Sequence, residues 1–178
     1  MERENNPSFF KNLIPYLIIM TDVSHARTMI HLFYEFLVHL PREIVVKRIS
    51  PNTWTVKEAV GHLIDSAANN HQRFIRLQEG NLETFPNYKN DSWVAIQEYN
   101  NYPWNRLVEF WREYNMFLLH VIDNVEKRDL KNKWALHEKN LSLECLINDY
   151  FIHLEGHVEK IKEKIQRLHE LSDNHLIS

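Results

Sequence analysis

The sequence predicts an all-α protein folded as a four-helix bundle, and three observations lead there. Only three glycines occur in 178 residues, Gly61, Gly80 and Gly156, too few for the turns of a β-sandwich or the phosphate loop of a dinucleotide fold. Four long segments repeat apolar residues at the helical period. Their ends carry start and stop residues. A hydrophobic content of 44% with 25% charged residues is ordinary globular usage, so the segments belong to a folded chain.

Helix one is expected from about Thr21 to Leu40, where Ala26, Ile30, Phe33, Leu37 and Leu40 share a face and Pro41 ends the run. Helix two opens on Thr55-Val56-Lys57-Glu58, the pattern of a capping box. Its stripe is Val60, Leu63, Ile64, Ala67, His71, Phe74 and Ile75, with Gly80 as its stop. Residues 81–102 carry no sustained period and read as a long loop with a short helix around Trp93; loops of this length in small domains are often functional. Helix three starts near Pro103, a favourable first-turn residue, with Leu107, Phe110, Trp111, Tyr114, Leu118, Val121 and Val125 on its inner face. A polar stretch from Glu126 to Asn140 follows. Helix four runs from Ser142 to about Leu168 on the stripe Leu143, Leu146, Ile147, Tyr150, Leu154, Val158, Ile161, Ile165 and Leu168. Four such helices bury their stripes best against one another. No composition shift or linker divides the chain, so residues 1–178 are expected to be a single domain. Fraying is expected over the first seven residues and after Leu171.

A net charge of −3 without a long basic run speaks against nucleic acid as a partner. The apolar run Leu13 to Met20 is short, contains Pro15 and follows Glu2-Arg3-Glu4. It fits neither a membrane span nor a signal peptide. Cys145 is the only cysteine, which excludes an intrachain disulfide and a cysteine-rich zinc module. A reducing cytoplasm is the simple expectation.

Eleven histidines are present. His153 and His157 form the only i,i+4 pair, so their side chains leave one side of helix four and can converge on one ion. The same spacing also arises on solvent-washed helices of histidine-rich chains, and spacing alone leaves both readings open. His62, at the edge of the helix-two stripe, would complete a three-nitrogen set. Alone it reads equally as a boundary histidine. The set reaches one depth if helices two and four lie side by side in the same direction. His71 reads as a core-edge residue, and Cys145 falls on the far side of helix four.

The run Trp54-Thr55-Val56-Lys57-Glu58 through His62-Leu63-Ile64-Asp65-Ser66 resembles the opening of helix two in the DinB/YfiT-like family. Tyr150-Phe151-Ile152-His153-Leu154-Glu155-Gly156-His157 resembles that family's final-helix histidine pair, and Pro86 to Val94 its aromatic link before a tryptophan, here Trp93. The resemblance spans about residues 24–168. It implies a DinB/YfiT-like four-helix bundle holding one divalent metal ion, nickel or zinc, on His62, His153 and His157. It also implies a metal-dependent hydrolase or a transferase that uses a low-molecular-weight thiol. A non-catalytic metal-binding protein and a structural dimer with a vestigial site remain as alternatives.

Beside that set, Asp65 at i+3 from His62 is a candidate second-shell partner or general base, and Asp149 at i−4 from His153 a weaker one. Arg73, on the His62 side of helix two, could hold a substrate carboxylate, and Trp93 could wall a pocket. The extra aromatics Tyr34 and Phe36 on helix one suggest a homodimer.

Overall fold

The computed structural model describes residues 23–136 and 139–175. The run Leu13 to Met20, the first residues expected in helix one, and His137 lie outside them. The elements in order are α1 (Val23–Val38), α2 (Arg42–Val45), α3 (Val56–Glu79), α4 (Asn90–Gln97), a 3-10 turn (Tyr99–Asn101), α5 (Trp104–Asp123), a second 3-10 turn (Asp129–Lys131), strands β1 (Lys133–Leu136) and β2 (Lys139–Ser142), and α6 (Leu143–His175). The four long helices are the bundle that the periodicity predicts.

The connectivity is not simple up-and-down. α1 packs on α5, α5 on α3, α3 on α6 and α6 on α1, so α1 and α3 sit on one diagonal and α5 and α6 on the other, while the consecutive helices α3 and α5 are neighbours. Cross-helix pairs give the directions. Arg27 meets Asp123 at 3.1 Å and Trp104 Nε1 donates to the Leu37 carbonyl at 3.2 Å, so α1 and α5 are antiparallel. Lys57 at the start of α3 donates to the carbonyls of Asn100 and Tyr102, and His71 further along meets Tyr114; α3 and α5 are therefore parallel. Lys164 caps the Trp54 carbonyl while Phe74 lies on Tyr150, so α3 and α6 are antiparallel. The order is up, down, down, up. The histidine-bearing helices α3 and α6 thus lie side by side in opposite directions, not in the same direction that the sequence argument took as its condition for one depth.

The parallel α3–α5 pair accounts for the long loop. A helix of 24 residues is about 36 Å long, and the chain must return that distance before α5 can begin. Residues 80–103 make the return, and α4 is the short helix expected around Trp93.

The helix-four stripe from Leu143 to Leu168 is buried at every position read from the sequence, and Ala26, Ile30, Phe33 and Leu37 bury as expected. Phe33 meets the buried Trp111 edge to face at 5.3 Å, a favourable aromatic geometry. Two expected stripe members, Ile75 and Phe110, are exposed instead. Leu77 takes the inward position on α3 and Val108 that on α5. α6 runs on to His175 rather than fraying after Leu171.

The polar stretch before α6 holds an unexpected hairpin. Trp134 pairs with Leu141, and Leu82 bridges to the outer edge of β1 through bonds of 2.9 Å to Lys133 and Ala135. Asn132 donates to the Leu77 carbonyl and Asn81 accepts from the Lys133 backbone. The hairpin is thereby stitched to the end of α3, and Trp134 is buried there. Among the described residues no helix is long and apolar enough to cross a membrane.

Candidate metal centre

The site begins at the N-terminus of α3. The Thr55 hydroxyl accepts from Glu58 N at 3.1 Å and the Glu58 carboxylate accepts from Thr55 N at 2.7 Å. This is the capping box read from the sequence. Asn100 binds both partners, accepting from the Thr55 hydroxyl and donating to Glu58. The returning chain is therefore tied to the helix start, and the phase of α3 is set so that His62, Asp65 and Ser66 point inward.

His62 is sealed in the core, while His153 and His157 on α6 are half-buried. One nitrogen from each ring lies within 4.8 Å of the others. Nitrogens sharing one ion at ~2.0–2.1 Å are at most about 4 Å apart, so small ring movements close the set. The ring centroids are 4.3 Å apart for His153–His157, 4.9 Å for His62–His157 and 5.7 Å for His62–His153. Trp54 covers His62 at 5.0 Å. The antiparallel packing allows this because α6, at 33 residues, extends far beyond the level of His157 and reaches the start of α3.

The residues fit a cation. His62 Nδ1 is buried with no hydrogen-bond partner, a costly state that must be relieved in some other way. Burial, and then the neighbouring His153, lower the His62 pKa to about 4. Burial, His153 and His62 lower that of His157 to about 3. Both rings are neutral at pH 7, the form that coordinates metal. His153 and His157 are partly exposed, so the cluster is not closed to solvent on every side.

Asp65 is buried, but it does not reach His62. Its Oδ1 accepts from the Tyr99 hydroxyl at 2.6 Å and from Gln97 Nε2 at 2.5 Å, and its Oδ2 has no partner. The expected carboxylate–histidine bond is absent because the loop competes for the carboxylate. Burial raises the Asp65 pKa, against the two hydrogen bonds. Gly61 makes the arrangement possible: a Cβ there would sit 2.1 Å from Tyr99 Cδ2. Glu98, between the two donors, is the only non-glycine residue with positive φ (48°) among the described residues.

The partner of His153 is Ser66, whose hydroxyl lies 3.4 Å from His153 Nδ1. Tyr88 from the returning chain interacts with Ser66, and its ring meets Trp93 at 4.6 Å. Trp93 itself is partly exposed and lines the solvent side. Asp91, in the first turn of α4, is close enough to act on the His62 charge. Asp149 is exposed. Arg73 lies farther along the same face of α3, over the rings of Trp134 (4.7 Å) and Phe85 (5.3 Å), which meet each other edge to face. Cys145 is exposed and free, and His71 bonds Tyr114 rather than joining the cluster.

Sequence reasoning missed Ser66, Tyr88, Asp91 and Tyr99. For Ser66 a signal was present, its i+4 spacing from His62. For Tyr99 the signal was a glycine inside a helix, which marks close approach. Tyr88, on the returning chain, and Asp91, in α4, carry no local signal.

Fold and cluster together define a class: a four-helix bundle with three histidines converging between two neighbouring antiparallel helices. The solved structure of YfiT from Bacillus subtilis, described as a probable metal-dependent hydrolase with an unusual four-helix bundle topology, has the same fold. The match has a TM-score of 0.70 and covers 94% of this chain and 93% of that one, at 16% sequence identity. At that identity the likeness speaks to the fold, which is the DinB/YfiT-like architecture the sequence motifs imply. No family model and no curated protein matches the sequence.

Proposed function

We propose that this protein is a metal-dependent enzyme acting on a small molecule, with one divalent ion, zinc or nickel, held by His62, His153 and His157. The observation that carries this reading is the convergence of three imidazole nitrogens within 4.8 Å, one of the rings having a buried and unpartnered nitrogen. An ion held there supplies Lewis acidity toward a molecule on its open side. Hydrolysis is the preferred reaction, supported by the description of the structural neighbour; a thiol-dependent transfer uses the same open side.

The chain's own residues have separable parts. Ser66 orients His153 through Nδ1. Asp65 accepts from Tyr99 and Gln97 through Oδ1, so it holds the returning chain in place. Asp91 is the better candidate for the carboxylate that accepts a proton, because it is exposed and faces the His62 charge. Trp93 and Tyr88 shield one side of the open position.

Elemental analysis tests the assignment. Wild type should retain about one divalent ion per chain; His153→Ala should lose it and His71→Ala should keep it. Unchanged metal in His153→Ala refutes the ligand set. Cobalt substitution then separates the reactions. A saturable thiolate-to-metal band on adding mercaptoethanol supports transfer, and metal-dependent ester or amide turnover without such a band supports hydrolysis.

A cytoplasmic setting suits the free, exposed Cys145. For assembly we propose a homodimer through α1, where Leu32 and Phe36 are exposed; Tyr34 is covered by the Arg112 guanidinium at 4.5 Å. Light scattering that shows monomer alone at high concentration refutes the dimer.

A further inference from the structure

We propose that Arg73 is the anchor for a carboxylate at the far end of an elongated substrate whose other end lies at the histidine cluster. The inference rests on the proposed site and names its substrate class, a small molecule ending in a monoanionic carboxylate.

The α3 face supplies the geometry. His62, Ser66, Asn70 and Arg73 follow one another at helical spacing along one side, all turned from solvent to some degree. Ser66 is level with His153. From Ser66 to Arg73 the helix rises about 10 Å, and from His62 to Arg73 about 16 Å. Tyr88 spans the interval, interacting with Ser66 on one side and with the Arg73 charge on the other. Tyr88 thus stands beside both ends of this face.

Arg73 is built into its place but has no counter-ion. Its guanidinium rests on the paired rings of Phe85 and Trp134, and Trp134 is fixed by the hairpin stitched to α3. Its one hydrogen bond goes to Asn70 Oδ1 at 3.4 Å. Its Nε is buried without a partner. Among the described residues no carboxylate lies within ion-pair distance of it. A partly buried charge with unused donors is costly unless something pairs with it. The rigid guanidinium fork matches a carboxylate in two parallel hydrogen bonds. One fixed positive charge suits a monoanion better than a phosphate monoester, which carries up to two negative charges.

The test uses binding, so it does not depend on turnover. Metal-free protein is titrated with octanoate and with octanol in a calorimeter, in wild type, Arg73→Gln and Arg73→Lys. Wild type should prefer octanoate. Arg73→Gln should weaken octanoate about 10- to 100-fold, the range for a hydrogen bond to a charged group, and leave octanol unchanged. Arg73→Lys keeps the charge without the fork and should lose less. On the cobalt-loaded protein, mercaptooctanoate should bind more tightly than mercaptooctanol, and Arg73→Gln should abolish the difference. Equal affinity of wild type for acid and alcohol overturns the proposal. So does an equal loss of both in Arg73→Gln, which would show that the residue only props up Trp134 and Phe85. If cobalt does not bind but octanoate binding depends on Arg73, the metal reading fails and the anion subsite stands. Should Arg73→Gln not fold, the wild-type comparison and Arg73→Lys still decide.

Discussion

Replacing Gly61 by alanine tests how the returning chain is locked over the site. The new Cβ would lie 2.1, 2.3 and 2.4 Å from three carbons of the Tyr99 ring, distances no packed side chain tolerates. The ring is buried and in the bonded arm of the Asp65 network, so it cannot move without surrendering that bond. Overpacking costs about 1–3 kcal/mol, and a hydrogen bond to a charged group contributes about 1.5–3 kcal/mol. Against these, alanine improves the helix by about 1 kcal/mol over glycine. The net loss should be about 2–4 kcal/mol, a fall in Tm of about 5–15 °C for a domain of this size. Gly156→Ala is the control, since nothing lies within 4 Å of a Cβ there; it should raise stability by about 0.5–1 kcal/mol. In the double variant Gly61→Ala with Tyr99→Ala the ring is gone, and the alanine should become neutral or helpful relative to Tyr99→Ala alone. Denaturant melts of the set, read by circular dichroism, decide it. Were Gly61→Ala as stable as Gly156→Ala, the close-approach argument and the Tyr99 clamp would both be wrong.

The metal-free protein should lose stability as pH falls from about 6.5. The folded-state pKa values of His62 and His157 lie near 4 and 3, below that unfolded value, so the unfolded chain takes up protons first. The loss should grow down to about pH 4 with about one to two protons taken up on unfolding, and level off below about pH 3; urea melts across this range that show no pH dependence refute it. Adding zinc at neutral pH should raise Tm and a chelator should reverse the rise, because an ion that binds only the folded state stabilises it; no shift in calorimetric scans would refute that linkage. Glu98→Gly should be tolerated while Glu98→Val costs about 1–2 kcal/mol, because the backbone at φ 48° is disfavoured for side chains and most so for branched ones; equal melts for the two variants would show that this turn is not strained.

Much of this was legible in the sequence, and the parts that were not share a cause. The α6 stripe could be read in full because a helix buried along one face repeats its apolar residues at a fixed angle whatever its neighbours do. His153 and His157 followed from the same periodicity. Phe110 and Ile75 were misjudged because periodicity gives the centre of a stripe better than its edges, and their ring and side chain fall on the outer side of the α3–α5 pair. The relative direction of α3 and α6 had no local signature at all. The hairpin had a faint one, Trp134 and Leu136 alternating with Lys133 and Ala135, but four-residue strands are too short for a period to stand out. Asp65 is legible as a carboxylate on the His62 side of the helix, but its hydrogen-bond donors are not, because Gln97 and Tyr99 lie more than thirty positions away.

That distance follows from the topology. If α3 and α5 were antiparallel, a short turn would join them, and the face of α3 that carries His62, Ser66 and Arg73 would look out at solvent or at a fourth helix alone. With the two helices parallel, the chain must cross the length of α3 again before α5 starts. Its course takes it past the hairpin at Leu82 and Phe85, past Ser66 at Tyr88, past His62 at Asp91, and on to Asp65 at Gln97 and Tyr99. Asp65 apart, the residues met in order along the crossing are the residues of α3 met in reverse. The bundle supplies the histidines through helical periodicity, and the crossing supplies a second wall that no periodicity encodes. The same connection that makes the bundle's order unusual therefore covers an otherwise open helix face, and on that covered face lie both ends of the proposed site.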